Sequence, residues 1–121
     1  MAKVRTSSDP FDKVRKAAAL LPDVTEATSW GAPALKVRGT MFACRPTHKS
    51  AEPNSLVVRL QFIDRDFLLQ SNPDVYYVKP HYLNYPCVLV RLAKITRKDL
   101  RELLEISREF VAGISKRRKR S

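Results

Sequence analysis

The chain has 121 residues, of which 44% are hydrophobic and 29% charged, with a formal net charge of +11. This composition predicts one soluble globular domain with its own core and a polyanionic partner. No apolar run approaches the length of a membrane span, and the polar N-terminus lacks the apolar stretch of a signal peptide. Two cysteines, Cys44 and Cys87, are too few for a disulfide framework, so we expect buried free thiols and a cytoplasmic location.

The N-terminal part predicts a flexible segment over residues 1–8 and then a helix. Pro10 suits the first position of that helix, and apolar residues follow at helical spacing as far as Leu21. Lys13 and Lys16 share its polar side. For these two residues, exposure to solvent is favoured over a contact with phosphate.

The stretch around the single tryptophan predicts a hairpin. Lys36 and Arg38 alternate with apolar residues, so they point away from the core, and Gly39 supplies the positive φ that a tight reversal needs. The returning segment 41–44 is apolar on both faces, as in a central strand. We expect Trp30 to be buried where the hairpin enters the core.

The middle of the chain predicts a strand over residues 56–62, with Phe62 among its inward-facing side chains. A short helix capped by Asp64 follows and ends before Pro73. The last strand is predicted over residues 87–92.

A long helix is predicted to close the domain, and it opens at Thr96 with a capping-box variant. Four basic and four acidic residues on its exposed side cancel, with i,i+4 pairs such as Arg101 and Glu105. The domain is therefore expected to span residues 9–115, followed by a disordered basic tail over residues 116–121.

This order of elements predicts an α+β fold, an antiparallel sheet packed with N-terminal and C-terminal helices and a short middle helix. The chain resembles the MmcQ/YjbR family from about Phe11 to Ile114. The likeness rests on four segments: Trp30–Pro33, Val37–Ala43, Val88–Leu92 and the apolar stripe of the closing helix. The resemblance implies a frataxin-homologue-like fold and a DNA-binding role through a double wing of hairpins.

Two basic elements are the candidate contacts with DNA phosphates. One is a stripe on the non-core side of the sheet, and the other is the tail. Their members are Lys36, Arg38, Arg45, Arg59 and Arg91 in the stripe, and Lys116, Arg117, Arg118, Lys119 and Arg120 in the tail. The alternative is a non-catalytic protein-interaction or small-ligand-binding module whose basic charge is incidental.

The sequence contains no motif that indicates catalysis or metal binding. His48, His81 and the two cysteines lack the close paired spacing of zinc ligands, and no glycine-rich loop could cradle a phosphate. We therefore expect no enzyme activity, no metal and no cofactor. Four tyrosines flank Lys79 and His81. They are expected to be half-buried rather than to stack on bases.

Overall fold

The structure is a computed structural model that describes the backbone of residues 10–29 and 31–120 and the side chains of residues 10–28 and 31–113. The expectations for Trp30 and for the segment 1–8 lie outside these residues. The described elements, in chain order, are α1 (Phe11–Ala18), β1 (Val24–Ser29), β2 (Ala32–Val37), β3 (Thr40–Cys44), β4 (Ser55–Arg59), α2 (Phe62–Ser71), β5 (Tyr76–Tyr77), a 3₁₀ turn (Pro80–Tyr82), β6 (Cys87–Arg91) and α3 (Arg97–Arg120).

All strand pairs in the described sheet are antiparallel, in the order β1-β2-β3-β4-β6-β5. The predicted α+β class is therefore confirmed. Gly39 has a φ of +84°, and Arg38 before it has a φ of +52°, so both residues of the β2–β3 turn are left-handed. Positive φ at both central residues is the pattern of a type I′ turn, one of the two common two-residue hairpin turns.

Helices α1 and α3 cover one face of the sheet and form the main core with it. Val14, Val58 and Leu104 are fully buried there, and Ser107 Oγ on α3 donates a hydrogen bond to Phe42 O at 3.1 Å. The two helices run in the same direction. Lys13 reaches Leu92 O and Ile95 O near the start of α3, and the Arg108 guanidinium reaches Pro22 O beyond the end of α1.

The opposite side of the sheet, here called the outer face, is covered as well. Val57 and Leu89 point away from the helices, yet both are buried in a second apolar cluster. Segments 45–54 and 78–86 supply the cover, because Ala51 of the first and Val78 and Tyr82 of the second pack into that cluster. This covering decides what the outer face can bind.

Two predicted boundaries differ from the structure. β4 ends at Arg59, and Phe62 is the first residue of α2 with 43% of its side chain exposed, so its predicted core position is wrong. The chain leaves the ladder here because the Leu60 N–H donates to Pro86 O rather than to a neighbouring strand. α2 therefore begins before Asp64.

The second difference lies at the C-terminus. α3 continues to Arg120, so the backbone of residues 116–120 is helical, where the sequence predicted a disordered tail. Lysine and arginine are good helix formers, and cations favour the negative end of the helix dipole. No helix among the described residues is both long and apolar enough to cross a membrane.

Candidate nucleic-acid interface

The structure does not gather the five predicted sheet cations into one stripe. Lys36 lies opposite Met41, whose carbonyl oxygen accepts a 3.1 Å hydrogen bond from the Arg59 guanidinium. Arg91 lies opposite Ser55, at the other end of the β4–β6 ladder. The set therefore divides into two groups at opposite ends of the strands: Lys36, Arg38 and Arg59 at one end, Arg45 and Arg91 at the other.

Arg91 is neutralised within the protein. Its Nε and Nη2 donate to the two oxygens of Glu52 at 2.9 and 2.8 Å, and its Nη1 donates to Pro73 O and Asp74 O. The guanidinium also lies 4.4 Å from the centre of the Tyr77 ring. The hydrogen bond from Arg91 holds the pKa of Glu52 below its ordinary value. Arg91 is thus a bridge that fastens the covering loop to the sheet.

The remaining sheet cations are more exposed. Arg38 projects from the β2–β3 turn with half of its side chain exposed and lies 3.8 Å from Asp23. Lys36 is half-buried, and Arg45 is exposed just after β3. These three can meet a ligand at the margins of the sheet, but they do not line a common surface.

A cleft of about 490 Å³ opens on the outer face between the two covering segments. The His48 and His81 rings stack at its edge with centroids 3.6 Å apart, and Tyr82 meets both rings edge-on. Burial lowers the pKa of His48, and the neighbouring charges of His81 and Lys49 act in the same direction. Among the four tyrosines, three are buried, and Tyr85 is 58% exposed.

Both cysteines border this cleft as free thiols. Burial raises the pKa of Cys44 to about 11 and also raises that of Cys87. Cys44 lies on β3 and Cys87 on β6, with β4 between them. Two strand spacings of about 4.8 Å exceed the reach of a disulfide. Within the described residues, no three histidine, cysteine or carboxylate side chains are placed to hold a metal ion.

A different cationic surface lies between α1 and the start of α3. A small cleft of about 150 Å³ is lined by Lys13, Lys16, Arg97 and Arg101 together with Ala17 and Leu20, and no carboxylate of the described residues lines it. The Lys13 ammonium is fixed at the edge by Leu92 O and Ile95 O. We call this set of four residues the cationic cleft.

The charges of the cationic cleft are not cancelled as the sequence suggested. In the described part of the chain, Lys16, Arg97 and Arg101 form no ion pair, and the predicted pair of Arg101 with Glu105 is absent. The spacing of Lys13 and Lys16 by three residues, and of Arg97 and Arg101 by four, indicates that each pair lies on one side of its helix. The two pairs form one cationic surface only because α1 and α3 lie parallel and adjacent.

Comparison with known proteins identifies relatives without a described activity. The chain is 51% identical over 37 residues to the uncharacterized protein Rv2570 of Mycobacterium tuberculosis and to the uncharacterized protein Mb2600 of Mycobacterium bovis. Each match covers 31% of this chain and 29% of the relative, so it spans about three tenths of the curated proteins. No solved structure matches significantly. The model of the YjbR family matches residues 19–110, and the chain therefore belongs to the YjbR family.

Proposed function

We propose that this protein is a non-catalytic DNA-binding protein that holds duplex DNA through backbone phosphates and acts in the reducing cytoplasm. The cationic cleft carries the proposal, because it presents four positive side chains and its lining contains no carboxylate from the part of the chain that the structure describes. Arginine and lysine in such a cluster neutralise phosphates and release counterions. The net charge of +11 adds long-range attraction to a polyanion.

The arrangement of the helices supports a contact with phosphates rather than with bases. α1 and α3 lie side by side, so their cations present a broad surface instead of one helix that projects into a groove. The basic run at residues 116–120 extends the positive charge along α3. Phosphate contacts of this kind position a protein on DNA without reading its sequence.

The sheet cations take a smaller part in the proposal. Lys36, Arg38 and Arg45 are accessible at the margins and can add peripheral contacts. Arg59 already donates to Met41 O, and Arg91 is engaged by Glu52. The main interface therefore lies on the helical layer rather than on the double wing of hairpins.

The decisive experiment compares two triple variants with the same loss of charge. Lys16→Gln with Arg97→Gln and Arg101→Gln removes three cleft cations, and Lys36→Gln with Arg38→Gln and Arg45→Gln is the matched control. Binding to a labelled mixed-sequence duplex is measured by anisotropy across a salt series. The cleft variant is expected to reduce the log–log salt slope by about 2–3, since each phosphate contact contributes roughly 0.9. The control should change it less.

Deletion of residues 116–121 distinguishes the contribution of the helix end to DNA binding from the contribution of the cationic cleft. The slope should fall by at most about 4–5, the value for five contacts, and residual binding should survive. Equal losses in the two triple variants would contradict the cleft as the interface. Absence of binding by the full chain at low salt would contradict the DNA-binding function itself.

The outer-face cleft favours a second candidate, binding of a small molecule. It is lined by the stacked His48 and His81, the exposed Tyr85 and the apolar Val57. Apolar walls with a few polar groups are typical of ligand sites. A thermal-shift screen of small aromatic compounds tests this candidate, and replacing Tyr85 with alanine should abolish any stabilisation that is found.

A further inference from the structure

The flank of α3 opposite the cationic cleft carries an open groove of different character. It lies between α2 and α3, has a volume of about 520 Å³ and includes the apolar residues Phe67 and Ile106. Phe67 is 69% exposed and Ile106 48%, and Ile63 nearby on α2 is 73% exposed. Exposed apolar side chains grouped in this way mark an interaction surface.

The charge of this groove is negative, although the whole chain is strongly positive. Asp64, Asp99 and Glu102 line it, and among the residues with described side chains no lysine or arginine does. The pKa of Tyr76 at its floor is raised by burial and then by the charges of Asp99 and Glu102. We call this set of residues the acidic groove. Its chemistry suits a cationic helix with one apolar or open side.

The chain itself contains such a helix at the other end of α3. Steps of three and four residues place positions 113, 117 and 120 on the same side of α3 as Asp99, Glu102 and Ile106. Arg117 and Arg120 belong to the basic run, and Gly113 precedes it. Glu102 and Arg117 are 15 residues apart, which corresponds to about 22 Å along the helix. One helix therefore carries an acidic half and a basic half on a common side.

Such a helix is complementary to an antiparallel copy of itself. A two-fold axis near position 110 places the backbone position 99 opposite 120, 102 opposite 117, and 106 opposite 113. A Cβ added to Gly113 would meet nothing within 4 Å, so the space beside it in one copy is open. An incoming isoleucine side chain can use that space. Each contact occurs twice in a closed two-fold pair.

We propose that this side of α3 and the acidic groove dock a second copy of the chain, with the two α3 helices antiparallel. The C-terminal basic turns of each copy then lie against the acidic groove of the other. The proposal does not depend on DNA binding and is tested without nucleic acid. The cationic cleft lies on the α1 flank of α3, so docking leaves it accessible, whereas positions 117 and 120 of the basic run are then not available to DNA in the dimer.

The first experiment is a charge exchange followed by sedimentation equilibrium at low salt. Wild-type protein is expected to dimerise, and Glu102→Arg alone or Arg117→Glu alone should weaken the dimer by roughly tenfold or more, since each juxtaposes like charges. The double variant with both substitutions should recover dimerisation. A nonspecific effect of net charge would give no such recovery.

The second experiment probes the apolar contact at the centre. Gly113→Gln should prevent the close approach of Ile106 and yield a monomer, and Gly113→Ala serves as the smaller control. Neither change should lower the free energy of unfolding of the monomer, because the space at Gly113 is open. A wild-type protein that stays monomeric at every concentration overturns the proposal. The acidic groove would then be a site for a cationic helix of another protein. Dimers that are equally strong in all variants also overturn it.

Discussion

The outer face of the sheet and the cationic cleft both contain arginines, but the arginines of the two sites differ in how they are paired within the protein. On the outer side, Arg91 is bound by Glu52 and two backbone carbonyls. In the cleft, Arg97 and Arg101 form no ion pair with any described residue. The difference arises because the covering segment 45–54 brings Glu52 to Arg91, and the turn after α2 brings the carbonyls of Pro73 and Asp74 to the same guanidinium. A cation count alone therefore says little about where a polyanion binds.

The greatest loss of stability is expected at Arg65, which holds the segment 78–86 that covers the outer face. Its side chain is buried, and its guanidinium donates to Leu83 O at 2.9 Å and Tyr85 O at 3.2 Å. Arg65→Met leaves two carbonyls without their donor and should lower the free energy of unfolding by about 2–3 kcal/mol. Chemical denaturation measures this loss. A change under about 0.5 kcal/mol, typical of surface sites, would show that the loop needs no such support.

Arg91 provides the direct comparison between the two regions. Arg91→Met should cost about 1–2 kcal/mol of stability, since it removes charge-assisted hydrogen bonds from a partly exposed site. Arg101→Met, the same substitution in the cationic cleft, should change stability by less than about 0.5 kcal/mol. Equal losses at the two sites would remove the distinction between internal and available arginines.

The contribution of the Arg91–Glu52 pair should depend on pH in one direction. Because the folded pKa of Glu52 is lowered, its stabilising effect is present above the ordinary carboxyl pKa of 4.5 and is lost as the pH falls through the folded value. The stability difference between wild type and Arg91→Met should therefore be constant near neutrality and shrink in acid. The difference for Arg101→Met should stay flat. A difference for Arg91→Met that grows in acid would contradict this assignment.

The smallest effect concerns the thiols that the outer loops enclose. The pKa of Cys44 is raised to about 11 and that of Cys87 is also raised, so little thiolate exists at neutral pH. Alkylation by iodoacetamide, followed by mass spectrometry, should be slow for the native protein and fast after denaturation. Rapid native alkylation of Cys87 would mean that the outer face opens readily.

Local patterns predicted most of the secondary structure. The alternation in β2 and the apolar stripe of α3 were read correctly, and the Asp99 N–H bonds Thr96 Oγ1 as the capping signal predicted. The end of β4 was missed because Phe62 continues the alternation of the strand, while the Leu60 N–H bonds to Pro86 O, far along the chain. No local pattern contains that partner.

The α+β class, the hairpin turn at Gly39 and the excess of positive charge can all be predicted from the amino-acid sequence. These follow from side-chain periodicity, from backbone sterics and from composition, all of which are local or additive. Which cations are neutralised and which remain available depends instead on how the elements pack in three dimensions. Glu52 reaches Arg91 across 39 residues, and Lys16 meets Arg101 only because α1 packs beside α3. Electrostatic pairing depends on distance in space, which the spacing along a chain does not specify.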